Sequence, residues 1–456
     1  MFEREGRRLR DSSMFKLLTM GGLILVLLIP LAMVGSLIAE RQSRRTQAIN
    51  EVAGTWGGTQ RLGGPVLTVP FREWHKDDHG NPVSTRAEAR FLPESLNVEA
   101  RVLPERRSRG IYETVLYRTN MKVTGTFRPS FAASWHVAPK DILWDDARLS
   151  IGLSELRGLH RVGDLLWQGR ALQLAPGGAD PGLWDVGLGT PVPALTTAAE
   201  GRAAAFAFDL AIDGSETLSF LPFGKQTTVT VSSPWPDPSF CGAFLPESSR
   251  VGRDGFTARW NVPYFARGYP QQWIVENPPK EWGSGLRESA FGVNLFLPAD
   301  SYQKTERSQK YAILFLLLTF GTCFLYDLWS PVAIHPIQQL LVGAALCIFY
   351  LLLLSISEHV PFGPSYAIAA AATILLITGY AMAILAGRAR ALLLGAILTV
   401  LYGFLYVLLQ AADYALLLGS LGLFAILALV MYLTRRVDWR NVREKSTHSP
   451  AAPTGA

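Results

Sequence analysis

Five side chains in and around long apolar runs carry the most suggestive chemistry of this 456-residue chain. Asp327 lies in YDLW near the end of one run. His335 and Gln338 lie in AIHPIQ just before the next, and Glu358 and His359 close that run in SISEH. An ionisable group inside a membrane-crossing segment is costly and by default marks transport or coupling. The alternative for Asp327 is a polar anchor reaching headgroup water beside Trp329. A Glu358–His359 pair would titrate near neutral pH, because histidine responds to a carboxylate neighbour; the alternative for these residues and His335 is interfacial capping. One metal ion shared by both histidines fails on distance, since about 23 helical residues between them span ~35 Å.

Other stretches with chemically competent residues read more simply. WHKDDHG gathers His75, Asp77, Asp78 and His79, all able to ligate metal, but it runs into HGNP, a turn signature. GGTQRLGGP lacks the Lys-Ser/Thr pair of a phosphate loop and precedes a strand-like run, so turn geometry accounts for its glycines. HExxH, CxxC and GxSxG are absent. The chain therefore offers no catalytic set, metal site or cofactor site, and the five residues above remain the functional candidates.

The elements that position them follow from the distribution of charge. Hydrophobic residues make up 49% of the chain and charged ones 18%, below the ~25% usual for soluble proteins. Residues 311–434 hold only Asp327, Glu358, Arg388, Arg390 and Asp413 as charged side chains, whereas 41–310 hold 31 Lys+Arg and 28 Asp+Glu. This is the pattern of a membrane protein with one large water-facing domain. The net charge of +6 comes largely from Arg and Lys flanking apolar runs, where they fix topology, so nucleic acid is excluded as a partner and the lipid bilayer is the expected one. The fold class expected is mixed: an N-terminal transmembrane anchor, a large β-rich domain and a C-terminal five-helix bundle.

A basic start (1–16) precedes an uncleaved anchor at 17–39, too long for a signal-peptide core. Five further runs, at 311–329, 337–356, 366–386, 391–410 and 413–433, each approach the ~20 residues that span a hydrocarbon core. A basic tail occupies 434–456. Six crossings put both termini and the Arg388/Arg390 loop on one side, the cytoplasmic one by the positive-inside rule. Residues 40–310 then fall outside. There the first helix can continue through 41–53, after which short runs such as VLTVPF, ETVLYRTNMKVTGTF and QTTVTVSS alternate with turns, as in an all-β sandwich. PGGADPGLWDVGLGTPVP reads as a long loop. Three cysteines, two of them in apolar runs, make no disulfide framework.

The segments WGGTQRLGGPVLTVPF, RGIYETVLYRTNMKVTGTF, LPFGKQTTVTVSSPWPDPSFCGAFLP, KYAILFLLLTF and AIHPIQQLLVGAALCIFYLLLLSISEH resemble, in order, the CreD family of bacterial inner-membrane proteins. The loop around 171–200 and the tail carry none of the likeness. The resemblance implies a multi-pass protein of the bacterial inner membrane, with residues 40–310 periplasmic. It also implies a part in cell-envelope integrity and in a stress response induced by a two-component system. It brings no catalytic residue set. The expectation is a non-enzymatic protein whose periplasmic domain binds an envelope protein, peptidoglycan or lipid. The rival expectations are a transporter or lipid-handling protein centred on the bundle, and a periplasmic hydrolase with dispersed residues.

Overall fold

The computed structural model describes residues 13–131, 133–180, 182–192, 202–275, 285–295, 301–329, 335–384, 387–411 and 414–435. The basic stretches 1–12 and 436–456 lie outside the described residues, as does Asp413. The chain forms two compact units: Arg45–Pro298, and Met1–Arg44 together with Ala299–Ala456.

Helix α1 runs from Ser13 to Trp56. Its 44 residues amount to ~66 Å, about twice the ~30 Å of hydrocarbon in a bilayer. Beyond the apolar run, the helix continues on polar residues supported by an i,i+4 bond from Arg44 to Glu40, 2.7 Å. It stops at Gly57 and Gly58, both with positive φ, whose N–H groups close on the Ala53 carbonyl at 3.0 and 2.8 Å. Glycine is the residue that ends a helix this way without steric cost.

The unit Arg45–Pro298 is built on two nine-stranded sheets. The long strand Gln60–Lys76 is the hub of the first, pairing with Pro82–Phe91, Arg148–Leu153 and, in parallel, Thr217–Phe220. In the second, Tyr112–Phe127 lies between Ser95–Arg109 and Ala204–Ser215. Alternate side chains from both sheets, including Leu67, Val69, Phe71, Val98, Val123, Phe208, Trp260 and Phe291, enter one buried cluster. The expected long loop at 176–193 contains strand Gly187–Pro191, paired with Arg148–Leu153. Two strands that the sequence reading passed over, Pro82–Phe91 and Ser95–Arg109, carry charges at alternate positions.

The other helices are α2 (Ser301–Lys310), α3 (Ala312–Trp329), α4 (Pro336–Ser357), α5 (Phe362–Ile384), α6 (Arg388–Gln410) and α7 (Ala415–Thr434). The sequence reading ended the β-rich domain at 310. Helix α2 instead belongs to the helical unit, where it packs on α4 and α6 and buries Thr305 and Ser308. Among the described residues, α1 from Leu18 onward, α4, α5 and α6 are long and apolar enough to cross a membrane; α3 and α7 contain shorter apolar stretches, Ala312–Cys323 and Leu417–Ala428. Their outward faces are apolar: Leu375, Val400 and Phe424 are each more than 70% exposed. Close helix approach uses small residues. A Cβ on Gly343 would lie 2.2 Å from Leu27 of α1, and one on Gly395 2.5 Å from Thr378, whereas one on Gly403 would meet nothing within 4 Å.

Candidate functional site

Helix α4 explains where most of the sequence candidates fall. It opens at His335, with Pro336 as its first residue, where a missing N–H costs nothing. The His335 Nδ1 accepts from Ile337 N (3.2 Å), and Gln338 Oε1 accepts from His335 N (3.0 Å). This reciprocal cap satisfies N–H groups that a helix start leaves orphaned. Both residues thus act on the helix itself. At the other end Glu358 is the C-cap residue, and Pro361 shortly after prevents continuation. Asp327 lies on α3, and its side chain is outside the described residues.

Glu358 is where three elements meet. Its carboxylate accepts from the Tyr302 hydroxyl of α2 at 3.2 Å, and Arg41 Nε of α1 stands 3.7 Å away. The Glu358 side chain is only 13% exposed. His359 is exposed, and the partners of the Glu358 carboxylate are Tyr302 and Arg41. Beside this cluster Lys304 Nζ donates to Gln410 Oε1 (3.4 Å) and lies 5.4 Å from the centroid of Phe362, while Gln410 Nε2 donates to the Tyr406 hydroxyl (3.0 Å). Tyr366 packs on Tyr406 at 5.3 Å and donates its hydroxyl to the Tyr402 carbonyl at 2.7 Å. Deeper still, Phe349 contacts the rings of Tyr350, Tyr366 and Tyr402. The Tyr350 and Tyr402 hydroxyls are buried, with no hydrogen-bond partner among the described residues. A group of polar side chains thus lies beside a packed cluster of tyrosine rings.

The β unit holds a second polar cluster, which the sequence reading missed. Register creates it. Thr68 of the hub strand pairs with Arg90 on one side and Arg148 on the other. With period two, Glu88, Arg90, Arg148 and Ser150 therefore share the face opposite Leu67 and Val69. Arg148 and Glu88 form a bidentate pair at 2.7 and 2.8 Å. Arg90 pairs with Asp180, brought by the loop after Pro176, and Ser150 Oγ donates to the same carboxylate at 3.3 Å. Arg90 and Asp180 are 5% and 1% exposed. Burial holds Asp180 above the usual carboxylate range against the pull of Arg90 and Arg148. Hydrogen bonds from Arg148 hold Glu88 below it. The same loop lays Trp184 on a glycine floor. A Cβ at Gly152 would come within 2.3 Å of the indole, whose N–H donates to Gly178 O at 3.0 Å. Alternating charges in EAR and RLS are the sequence signal for the strand members; Asp180 leaves none. All four charges are engaged with one another, so the cluster fastens a loop and leaves no free acid or base.

In the WHKDDHG turn, Asp77 Oδ1 accepts from His79 N (2.9 Å) and Asn81 N (2.8 Å), which draws its charge below the ordinary range. Among the described residues no group of three His, Cys, Asp or Glu side chains converges as a metal site.

The described residues show an apolar N-terminal helix, a large β-rich domain and several apolar C-terminal helices, the architecture of a membrane protein. The sequence model of one family, described as inner membrane protein CreD, matches residues 12–440. The chain is also 32% identical over 434 residues to the inner membrane protein CreD of Escherichia coli (strain K12), covering 94% of each chain. It belongs to the CreD family.

Proposed function

We propose that this protein maintains the cell envelope without catalysis, by binding a partner through its β domain on the periplasmic face of the inner membrane. In this reading α1 and α3–α7 cross the bilayer, six crossings in all, with both termini cytoplasmic. The partner is an envelope protein, peptidoglycan or lipid, and synthesis rises in a stress response driven by a two-component system. The observation that supports binding is the ribbon at the end of the hub strand. From Arg72 to Arg86 every residue but Asp77 is exposed, although 72–76 and 82–86 remain paired as strands. A two-stranded ribbon so widely exposed has little stability of its own; on one face Trp74 Nε1 donates to Asp141 Oδ1 at 3.1 Å and Arg86 pairs with Asp146 at 3.1 Å, and the ribbon still carries Trp74, 54% exposed, and Val83, 39% exposed. Such an arm gains most from a surface that covers it.

The test is complementation of a deletion strain challenged with detergent and a cell-wall antibiotic. Residues 1–298, which keep the anchor and the β unit, are expected to restore resistance at comparable membrane levels. Replacing 72–86 by a two-residue turn is expected to abolish rescue in the full chain. Rescue by the ribbonless protein, with failure of 1–298, would reverse the assignment.

A second reading, transport or lipid handling by the helical unit, is favoured by the buried Tyr350 and Tyr402 hydroxyls, which have no hydrogen-bond partner among the described residues. Failure of 1–298 despite a stable fold would move it to first place.

A further inference from the structure

Helix α2 reaches deeper into the helical unit than its composition suggests. Lys304, Glu306, Arg307 and Lys310 are charged, yet its lower end is pinned inside the apolar run of α1. Gln309 Nε2 donates to the Leu31 carbonyl at 3.1 Å, and a Cβ on Gly35 would lie 3.0 Å from the same nitrogen. Leu31 and Gly35 precede Ala39, where the run ends, by eight and four residues, or about 6–12 Å along the helix. The whole run from Leu17 to Ala39 is ~34 Å long against ~30 Å of hydrocarbon. Arg307 and Lys310 are therefore rooted at or below the hydrocarbon edge.

The two faces of α2 differ. Tyr302, Thr305 and Ser308 are buried, whereas Gln303, Arg307 and Lys310 are exposed. At spacings of four and three these form one stripe, and the exposed Ile313 and Leu317 extend it down α3. Lys310 is balanced by Glu306 at 2.9 Å, but Arg307 has no carboxylate partner among the described residues. A charge at this depth is costly without a counter-ion. Long basic side chains lower the cost by laying their stems on apolar surface and lifting their heads to the interface, where lipid phosphates lie. The flank of α1 beside Leu31 and Gly35 is hollow: Leu28, Ile29, Ala32, Met33 and Ser36 line an open groove of about 500 Å³. Cations at the edge of the hydrocarbon, with apolar surface and an open groove within it, follow the order of a phospholipid, phosphate above and acyl chain below. The uncompensated charge of Arg307 favours an anionic headgroup over a zwitterionic one, whose phosphate already carries its own cation.

Resting on the reading in which α1 and α3 cross the bilayer, we infer that α2 and the adjoining flank of α1 hold an anionic phospholipid of the periplasmic leaflet. Arg307 and Lys310 receive its phosphate, and the α1 groove with Ile313 and Leu317 receives its acyl chains.

Full-length protein in neutral maltoside micelles is titrated with dioleoylphosphatidylglycerol, dioleoylphosphatidylcholine or inorganic phosphate. Lipid retention is read by native mass spectrometry and stability by the thermal-unfolding midpoint. Phosphatidylglycerol is expected to be retained and to raise the midpoint, since a ligand of the folded state stabilises it. Phosphatidylcholine is expected to be retained several-fold less, and inorganic phosphate to leave the midpoint unchanged. Arg307→Gln combined with Lys310→Gln is expected to cut phosphatidylglycerol retention several-fold while the lipid-free midpoint stays put, both positions being exposed. Ala32→Phe, which fills the groove from its open side, is expected to weaken retention in the same way. Equal retention of the two lipids, undiminished retention by the double variant, or a midpoint shift with phosphate equal to that with phosphatidylglycerol would overturn the inference. The crossing itself is read separately, from a nitroxide on Met33→Cys in phosphatidylcholine nanodiscs, with Cys241, Cys323 and Cys347 replaced by serine. A label relaxed by a water-soluble nickel chelate would overturn the crossing and the site with it. A label relaxed by oxygen instead, without preference for phosphatidylglycerol, would overturn the site alone.

Discussion

The two units solve the problem of buried polar groups in opposite ways. The β unit includes charged pairs among them, Glu88 with Arg148 across strands and Arg90 with Asp180 of a loop, both set by the register around Thr68. In the helical unit they are mostly neutral hydroxyls: Thr373 and Ser365 donate to backbone carbonyls four residues back, Ala369 O (2.9 Å) and Pro361 O (3.0 Å), while Ser308, Thr319 and Thr378 have no hydrogen-bond partner among the described residues. Its described charges near the core, Arg41, Lys304 and Glu358, gather at one end. The difference follows from geometry and solvent together. A strand side chain points away from its own carbonyls and must find a partner on a neighbouring strand or loop. A helical hydroxyl has the carbonyl four residues back within reach, and hydrocarbon makes a charge far costlier than a hydroxyl. The β unit can therefore use ion pairs to fasten loops, and the helical unit cannot.

The largest effect is expected where that fastening is cut. Arg90→Met strands the Asp180 carboxylate at 1% exposure. Breaking a buried pair from one side costs about 3–5 kcal/mol, which denaturant unfolding of the β unit would register. Adding Asp180→Leu should return most of that loss, since two well-packed apolar side chains replace a buried pair at little cost. If the double variant is no more stable than the single one, the pair does more than fill and neutralise.

A smaller effect distinguishes the two carboxylates of the same cluster. Glu88 titrates below its ordinary value because Arg148 bonds its charged form. Its contribution to stability is therefore present above the unfolded-state pKa and disappears as pH falls through the folded-state value. Asp180, held above its ordinary value by burial, has the opposite slope: its contribution is present at low pH and fades as pH rises through the folded-state value. Glu88→Gln should thus cost about 1 kcal/mol at pH 7, a charged hydrogen bond discounted for partial exposure. Below the folded-state value it should cost almost nothing. A loss that does not shrink on acidification would mean the glutamate acts by packing.

Legibility followed the same division. Helix positions were readable because hydrocarbon demands an unbroken apolar run: 337–356 was expected and Pro336–Ser357 is found. Pro336 and Gln338 also spelled out a cap, Pro at the first helical position and Gln two residues further on, so the placement of His335 was available in the sequence as one of its two readings. Strands Pro82–Phe91 and Ser95–Arg109 were not found by looking for apolar runs, because half of each is exposed and polar; the alternation of Val98, Ala100 and Val102 with Glu99 and Arg101 was the signal available for the second. Asp180 was beyond sequence reasoning: its burial depends on a loop closing over a surface assembled from distant strands, and nothing local records that burial.

The smallest effect tests whether the Glu358 cluster of the helical unit belongs to the structure or to an activity. Arg41 stands 3.7 Å from Glu358 with 40% of its side chain exposed, so the pair contributes about 0–1 kcal/mol. The Tyr302 hydroxyl can donate as well to an amide oxygen as to a carboxylate. Glu358→Gln should therefore leave thermal unfolding of the full-length protein within a degree or two, a shift of the size such an energy implies. That near-silence is what makes the variant useful. A stable Glu358→Gln protein that also complements the deletion strain leaves binding by the β domain as the simpler account. A stable protein that fails to complement requires the charge itself, and hydrocarbon offers no structural reason to keep a charge whose removal is free.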